Sequence, residues 1–200
     1  RAAYAAMGLD DWVYEAIECR EEALAGFLDG LGPEWAGLSL TMPLKRVALG
    51  LVDEVSDLAV KVGGVNTVVL RDGRRLGDNT DVHGIVTALT EAGVEVPGPG
   101  GAPPLVLGGG ATAAAALAAL AALGAKEAVL AVRSPERAAD AARVGERFGL
   151  AVRVTTLDRV AGRLSAGLVV STLPGRAADA FAGPVAASGA ALFDVVYAPW

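Results

Sequence analysis

Within residues 77–86, GDNTDVHGIV, the side chains of Asp78, Asn79, Thr80, Asp81 and His83 crowd together just ahead of an apolar run. Three kinds of chemistry fit such a cluster. As a helix cap, Thr80 or Asp81 would accept from the first-turn N–H groups of a helix over 82–92, which accounts for one residue of the group. As a metal site, Asp78, Asp81 and His83 supply three ligands, and the sequence has no second histidine and no cysteine cluster to close a shell. As half of an acid/base pair, Asp81 would hold the ammonium of a lysine brought to it from elsewhere in the chain. His83 is the only histidine and has a suitable intrinsic pKa for a general base, but its position reads first as that of a first-turn helix residue.

Composition narrows the search for the partner. Lys and Arg together number 17, yet only Lys45, Lys61 and Lys126 are lysines. A guanidinium keeps its charge at any working pH, whereas an ammonium can be tuned to give and take a proton. Lys45 follows SLTMP at the end of a predicted strand, where open α/β sheets take their ligands. Asparagine is rarer still. Asn66 and Asn79 are the only two, and each is followed by threonine. A buried amide offers two donors and an acceptor, which suits the orientation of a polyol.

A second constellation lies in VLGGGATAAAAL, where Gly108, Gly110 and Ala113 stand at G-x-G-x-x-A spacing between a strand and a helix. The glycines permit a tight turn and let a pyrophosphate approach the backbone N–H groups at the positive helix end. The next predicted strand ends in AVRSPER, with Arg133, Ser134 and Arg137 in place of the acidic residue that commonly holds the ribose of NAD. A cation and a hydroxyl there suit the 2′-phosphate of NADP. The plainer alternative makes Ser134 and Pro135 a helix N-cap and first-turn pair, with Arg133 solvated.

The elements that must position these residues come in two sets. In residues 1–80 the pattern predicts helices at 1–8 and 21–31, strands at 12–17 and 36–41, and two short helices at 45–51 and 53–61. A hairpin turning at RDG should follow, with its return strand at 74–78. After the helix at 82–92, the Pro/Gly-rich VEVPGPGGAPP marks a connector. Strands at 105–107, 128–132, 152–156, 168–171 and 191–195, with helices at 111–123 and 135–148, then read as βα units of a doubly wound parallel sheet. The fold class is therefore α/β: an N-terminal α/β substrate domain at 1–82, followed by a Rossmann-type doubly wound dinucleotide-binding domain at 83–200, with a linker near 93–104.

The bulk properties of the 200-residue chain agree with a small-molecule partner. A net charge of −6 offers no basic face for nucleic acid or anionic lipid. The uncharged stretch 105–125 approaches the length of a membrane span, but it opens as a strand with three glycines and continues as weakly apolar alanine. A single cysteine, Cys19, excludes an internal disulfide and points to the cytoplasm. The chain opens at Arg1 without a basic-then-apolar leader, and reads as a fragment.

Taken in order, SLTMPLK, GGVNTV, GDNTDVHG, VLGGGAT, STLPG at 171–175 and FDVVYAP at 193–199 resemble the shikimate dehydrogenase family along essentially the whole chain. That resemblance implies a two-domain enzyme that reduces 3-dehydroshikimate to shikimate with NADPH. It implies Lys45 and Asp81 as the catalytic pair, and substrate contacts from Ser39, Thr41, Asn66 and Tyr197 alongside Asp81. It implies a phosphate loop at Gly108, Gly110 and Ala111, NADP recognition by Arg133 and Ser134, and backbone-shaping roles for Pro174 and Gly175.

The chain departs from the family pattern at Ser39 and Val132, where the family usually has asparagine. The family's S-x-S motif for the substrate carboxylate is expected upstream of Arg1, and its glutamine-bearing helix beyond Trp200; the sequence contains no glutamine. Two alternatives stand beside an NADP-dependent shikimate dehydrogenase: an NAD-dependent quinate/shikimate dehydrogenase, against which Arg133 argues, and a non-catalytic binding or regulatory module of the same fold. The oligomeric state is left open by the sequence.

Overall fold

The structure is a computed structural model that describes residues 2–98, 100–161, 164 and 166–196. Its elements, in chain order, are α1 (Ala2–Ala6), α2 (Leu24–Asp29), β1 (Gly37–Ser39), β2 (Glu54–Val55), α3 (Asp57–Val62), β3 (Thr67–Arg71), β4 (Arg74–Asp78) and α4 (Asp81–Glu91). Then follow β5 (Leu105–Leu107), α5 (Ala111–Ala122), β6 (Glu127–Val132), α6 (Ala139–Arg147), β7 (Ala151–Thr156), α7 (Leu157–Ala161), β8 (Leu168–Ser171), α8 (Asp179–Ser188) and β9 (Ala191–Asp194).

Two sheets result. The first has the order β1-β3-β4-β2, antiparallel except for the parallel β2–β4 pair. Its hairpin turns at Asp72 and Gly73, both at positive φ (52° and 71°), the backbone that a two-residue turn between right-twisted strands requires. The second sheet is wholly parallel in the order β7-β6-β5-β8-β9, so the strand order reverses on either side of β5. Strands covered on both faces read as continuous apolar runs, and every residue of β5 and β8 is buried.

The helix α5 explains how the parts are gathered. All of Ala113–Leu120 is buried, because alanine lets the helix approach β5, α4 and α6 closely on several sides. The same core takes Val82, Ile85 and Leu89 from α4 and Val62 from α3. Thus α4 covers the second sheet, while its first residue, Asp81, sits at the exit of the first. Among the described residues no helix is long and apolar enough to cross a membrane.

Three expectations for the first half are corrected. Residues 12–17 form no strand but run irregularly, with Trp12, Val13, Tyr14 and Ile17 exposed. Aromatic and β-branched side chains favour a strand only where a neighbour pairs with it, and none of the described strands does. The helix expected at 45–51 is a turn followed by a 3-10 segment at Val47–Gly50. The helix expected at 53–61 starts late, because Glu54–Val55 pairs with Leu76–Gly77, and Ser56 then caps α3 by accepting from the Ala59 N–H at 3.1 Å. In the second half α7 and α8 lie where the sequence pattern predicts no helix. The short α7 has five residues, and α8 carries Pro184 in its interior, which disguises a helix that buries Phe181 and Val185.

The two halves also meet through charge. Arg46, next to Lys45, donates to Asp140 at 2.6 Å, and Arg143 donates to the other oxygen at 2.5 Å. The Arg46 guanidinium, with Arg143 beside it, holds the Asp140 carboxyl below its ordinary range. A lowered carboxyl pKa contributes stability that is present above the ordinary aspartate value and lost as the pH falls through the lowered one. All three side chains are open to solvent, so the contribution is small. Asp140→Asn should therefore lower the urea midpoint slightly at about pH 7, and by less at about pH 3, below the ordinary aspartate value. A difference that is the same at both would show that the ion pair contributes nothing.

Candidate active site

The first sheet delivers Lys45. β1 is extended by a bond from the Leu40 N–H to the Asn66 carbonyl at 2.7 Å, and the chain then turns, with the Leu44 N–H bonded to the Thr41 carbonyl at 2.8 Å. The Met42–Pro43 peptide in this turn is cis. The Lys45 carbonyl is held by the Val65 N–H at 2.8 Å, which leaves its side chain running toward the start of α4. There Nζ donates to Asp81 Oδ2 at 2.6 Å, with the two side chains only 11% and 22% exposed.

Asp81 is placed by the loop that leaves β4. Asp78 Oδ1 accepts from the Ser56 hydroxyl at 2.5 Å and from the Asn79 N–H at 2.7 Å. The Asn79 side chain, 2% exposed, donates from Nδ2 to the Gly64 carbonyl at 2.8 Å. With Asp78 and Asn79 tied in this way, α4 can begin only with Asp81 beside Lys45. Asp81 Oδ1 also accepts from Asn66 Nδ2 at 2.6 Å, so both carboxylate oxygens are bonded. An ion pair in such a partly dry place interacts more strongly than one on the surface, provided its remaining hydrogen-bonding capacity is met.

The structure therefore brings Lys45, Asn66 and Asp81 into one bonded cluster. Ser39 and Thr41 lie exposed on the strand and turn that lead to Lys45, and neither side chain joins the cluster. Tyr197 falls outside the described residues. Thr80 stands at the N-cap position of α4 but makes no side-chain cap; its hydroxyl turns to Asn66 and Thr67 instead. His83 is exposed, and the Thr87 hydroxyl, 3.5 Å from its Nε2, is one helical turn onward, away from the ion pair. Among the described residues no group of three or more His, Cys, Asp or Glu side chains converges.

The second sheet carries the other constellation at the end of β5, where its strand order reverses. Gly108 follows β5 at φ 108°, and a Cβ there would run into the Thr172 hydroxyl, itself donating to the Leu107 carbonyl at 2.8 Å. Gly110 stands at the start of α5 with open space around it and no side-chain cap. The first-turn N–H groups of a full-length helix are thus left for a ligand. Ala111 opens α5 partly exposed, and Ala113, fully buried, lets the helix pack close to the sheet. Arg133 is exposed just past β6. Ser134 occupies an N-cap position without capping; its hydroxyl donates to Glu136, holding that carboxyl below its ordinary range. A glycine cradle, an uncapped helix start and a cation past the neighbouring strand together fit a phosphorylated dinucleotide.

Residues 1–68 match the shikimate dehydrogenase substrate binding domain. A protein named shikimate dehydrogenase (NADP(+)) from Citrifermentans bemidjiense is 38% identical over 211 aligned positions, covering 99% of this chain and 71% of that relative. The chain belongs to the shikimate dehydrogenase family. Another relative of that name, from Thermus thermophilus, is 38% identical over 93% of the chain and 67% of its own length. Among solved members of the family, the shikimate dehydrogenase of Mycobacterium tuberculosis superposes with a TM-score of 0.80 at 40% identity, covering 100% of this chain and 72% of that one. The Thermus thermophilus enzyme, solved in complex with NADP(H) and shikimate, gives 0.76 at 33% identity, covering 98% and 72%. The two sheets are accordingly the family's substrate domain and its Rossmann-type NADP-binding domain.

Sequence reasoning missed the supports. Asp78 and Thr80 were visible in the 77–86 cluster, but as a metal ligand and a cap; Thr67 showed only through the repeated Asn-Thr pair, and Ser56 under the loop and Thr172 against Gly108 carry no spacing signal of their own. The Asn79 amide, which ties the same loop to Gly64, offers a direct test. Asn79→Ala leaves the buried Gly64 carbonyl without its donor, and should cost about 1 to 3 kcal/mol of stability by urea denaturation. No loss would mean that the loop is held by the Asp78 bonds alone.

Proposed function

We propose that this chain is an NADP-dependent shikimate dehydrogenase, interconverting 3-dehydroshikimate and shikimate by hydride transfer to or from a CH–OH carbon. The observation that carries the reading is the Lys45–Asp81 ion pair at 2.6 Å, with Lys45 delivered by the first sheet and Asp81 opening the helix α4 that packs on α5 of the second domain. When bound, the nicotinamide cofactor supplies or receives the hydride. Lys45 Nζ gives its proton to the substrate oxygen as the ketone is reduced, and takes it back from the hydroxyl in the reverse direction. Asp81 remains ionised and holds the amine toward the reacting oxygen. Because Asn66 spends one amide hydrogen on Asp81 and its oxygen is already occupied, its second hydrogen is left to donate to a substrate hydroxyl. Ser39, Thr41 and Tyr197 supply further contacts to the polyol.

On the cofactor side, Gly108, Gly110 and Ala111 receive the pyrophosphate, and Arg133 with Ser134 receives the 2′-phosphate. We place the functional division at residues 82/83, with 93–104 as the connection, and the protein in the cytoplasm, a reading supported by its lone Cys19. Its acidic charge supports small molecules, not nucleic acid, as its partners. The deciding assay follows absorbance of the reduced cofactor with shikimate plus NADP, repeated with NAD and with quinate. Turnover confined to quinate plus NAD would replace this reading.

Two substitutions probe the roles. Asp81→Asn keeps the shape but removes the charge beside Lys45, so turnover should fall about 10²- to 10⁴-fold with little change in melting temperature. Lys45→Ala should fall comparably, and the double variant should be little worse than the worse single one, since both serve one step. Additive losses would separate the two residues. Arg133→Ala should raise KM for NADP by about ten- to a hundredfold while barely moving that for NAD, the scale of a charge-assisted contact. Equal losses with both cofactors would remove the assignment to NADP.

A further inference from the structure

The two Asn-Thr pairs acquire a meaning when their threonines are followed. Thr67 opens β3, Thr80 closes the loop before α4, and their hydroxyls meet at 3.0 Å. Between them lies the Asn66 carboxamide oxygen. It accepts from the Thr80 backbone N–H at 2.8 Å and from the Thr67 hydroxyl at 2.9 Å, with the Thr80 hydroxyl at 3.2 Å. On the far side of the same amide, Nδ2 stands 2.6 Å from Asp81 Oδ1.

These contacts leave the amide a single orientation. Reversing it would set its NH₂ against the Thr80 N–H and its oxygen against a carboxylate oxygen, two donors facing at one end and two acceptors at the other. The bonds form a line: the threonine hydroxyls hold Asn66, Asn66 holds one oxygen of Asp81, and the other oxygen holds Lys45 Nζ. We propose that Thr67 and Thr80 are positioning residues of the reaction. Neither touches the ion pair; together they fix the Asn66 amide so that its N–H groups face Asp81 and the substrate. The proposal rests on the Lys45–Asp81 pair being catalytic.

The sequence offers an unusually clean test. With two asparagines and no glutamine, the side-chain carboxamide region of an amide NMR spectrum holds only the NH₂ pairs of Asn66 and Asn79. Asn66→Ala assigns them. Asn79, bonded to the Gly64 carbonyl, is the internal control. In the wild type, the Asn66 proton facing Asp81 should lie downfield and exchange slowly. In Thr67→Val/Thr80→Val it should move toward the free-amide position while the Asn79 pair stays put. Turnover should fall about two- to tenfold for each hydroxyl removed, with KM for NADP unchanged, the scale expected when a net hydrogen bond is lost. Thr67→Ser and Thr80→Ser should restore both signal and rate, a rescue that mere packing by the threonine methyl groups would not give. If the double variant does not fold, Thr80→Val alone, at an exposed site, carries the same test.

An unmoved Asn66 signal, or valine variants with full turnover beside an inactive Lys45→Ala, would overturn the proposal. Should Lys45→Ala itself keep its turnover, the catalytic reading falls instead, and the Asn66 signal still decides whether the threonines orient the amide.

Discussion

An ammonium and a carboxylate held 2.6 Å apart where little water reaches them set the terms for their surroundings. Taking both charges out of water costs several kcal/mol per ion, an expense offset only by good geometry and satisfied hydrogen bonds. Hence each oxygen of Asp81 has its own donor, Lys45 Nζ on one and Asn66 Nδ2 on the other. The two donors and their acceptor come from three separate segments: the turn after β1, the residue before β3 and the start of α4. The observed register of the first sheet brings those segments together. Thr67 pairs with both Ser39 and Asp78 across the strands, which sets Asn66 between the chain leading to Lys45 and the chain leading to Asp81.

The same constraint fixes where the two sheets join. α4 begins at Asp81, in the first sheet's polar cluster, and continues with Val82, Ile85 and Leu89 into the core around α5. A single helix thereby ties the ion pair to the dinucleotide-binding sheet. Alanine along α5 brings α3, α4 and α6 close, and Lys61 of α3 lies over the Phe148 ring at 4.3 Å while the Arg147 guanidinium reaches the Lys61 carbonyl at 3.3 Å. These contacts, with Arg46 on Asp140, place the residue after Lys45 against α6 of the cofactor domain. Side-chain packing around α5 thus holds the segments that carry the ion pair against the domain that carries the glycine turn.

In the second sheet the controlling feature is backbone room. Gly108 has no space for a Cβ beside Thr172, and Gly109 would bring one to 3.0 Å from Val132. The crossing from β5 into α5 is consequently tight, and the helix start emerges at the carboxyl end of the strands, where doubly wound sheets bind ligands. Arg133 reaches this edge because β6 ends one residue before it and is paired with β5 in register, Leu107 opposite Ala131.

Most of the second domain was legible in the residues alone, with α7 and α8 as the exceptions. Its strands alternate with helices, the central β5 and β8 are buried throughout and so announce themselves as apolar runs, and its glycine spacing is a local property of one turn. Lys45, Asn66 and Asp81 were also legible, as rare or clustered residue types. In the first domain the RDG hairpin, a helix within 21–31 and a strand within 36–41 were legible too, whereas tertiary structure set the remainder. Residues 12–17 have the composition of a strand and no described partner, while Glu54–Val55 looks helical and pairs with β4, because strand formation depends on a neighbour that composition does not contain. It also decided that Thr80 orients an asparagine in place of capping α4, and that His83 faces away from the ion pair. Those outcomes turn on distances between segments well separated in sequence, such as the 14 positions between Thr80 and Asn66, and no local pattern encodes them.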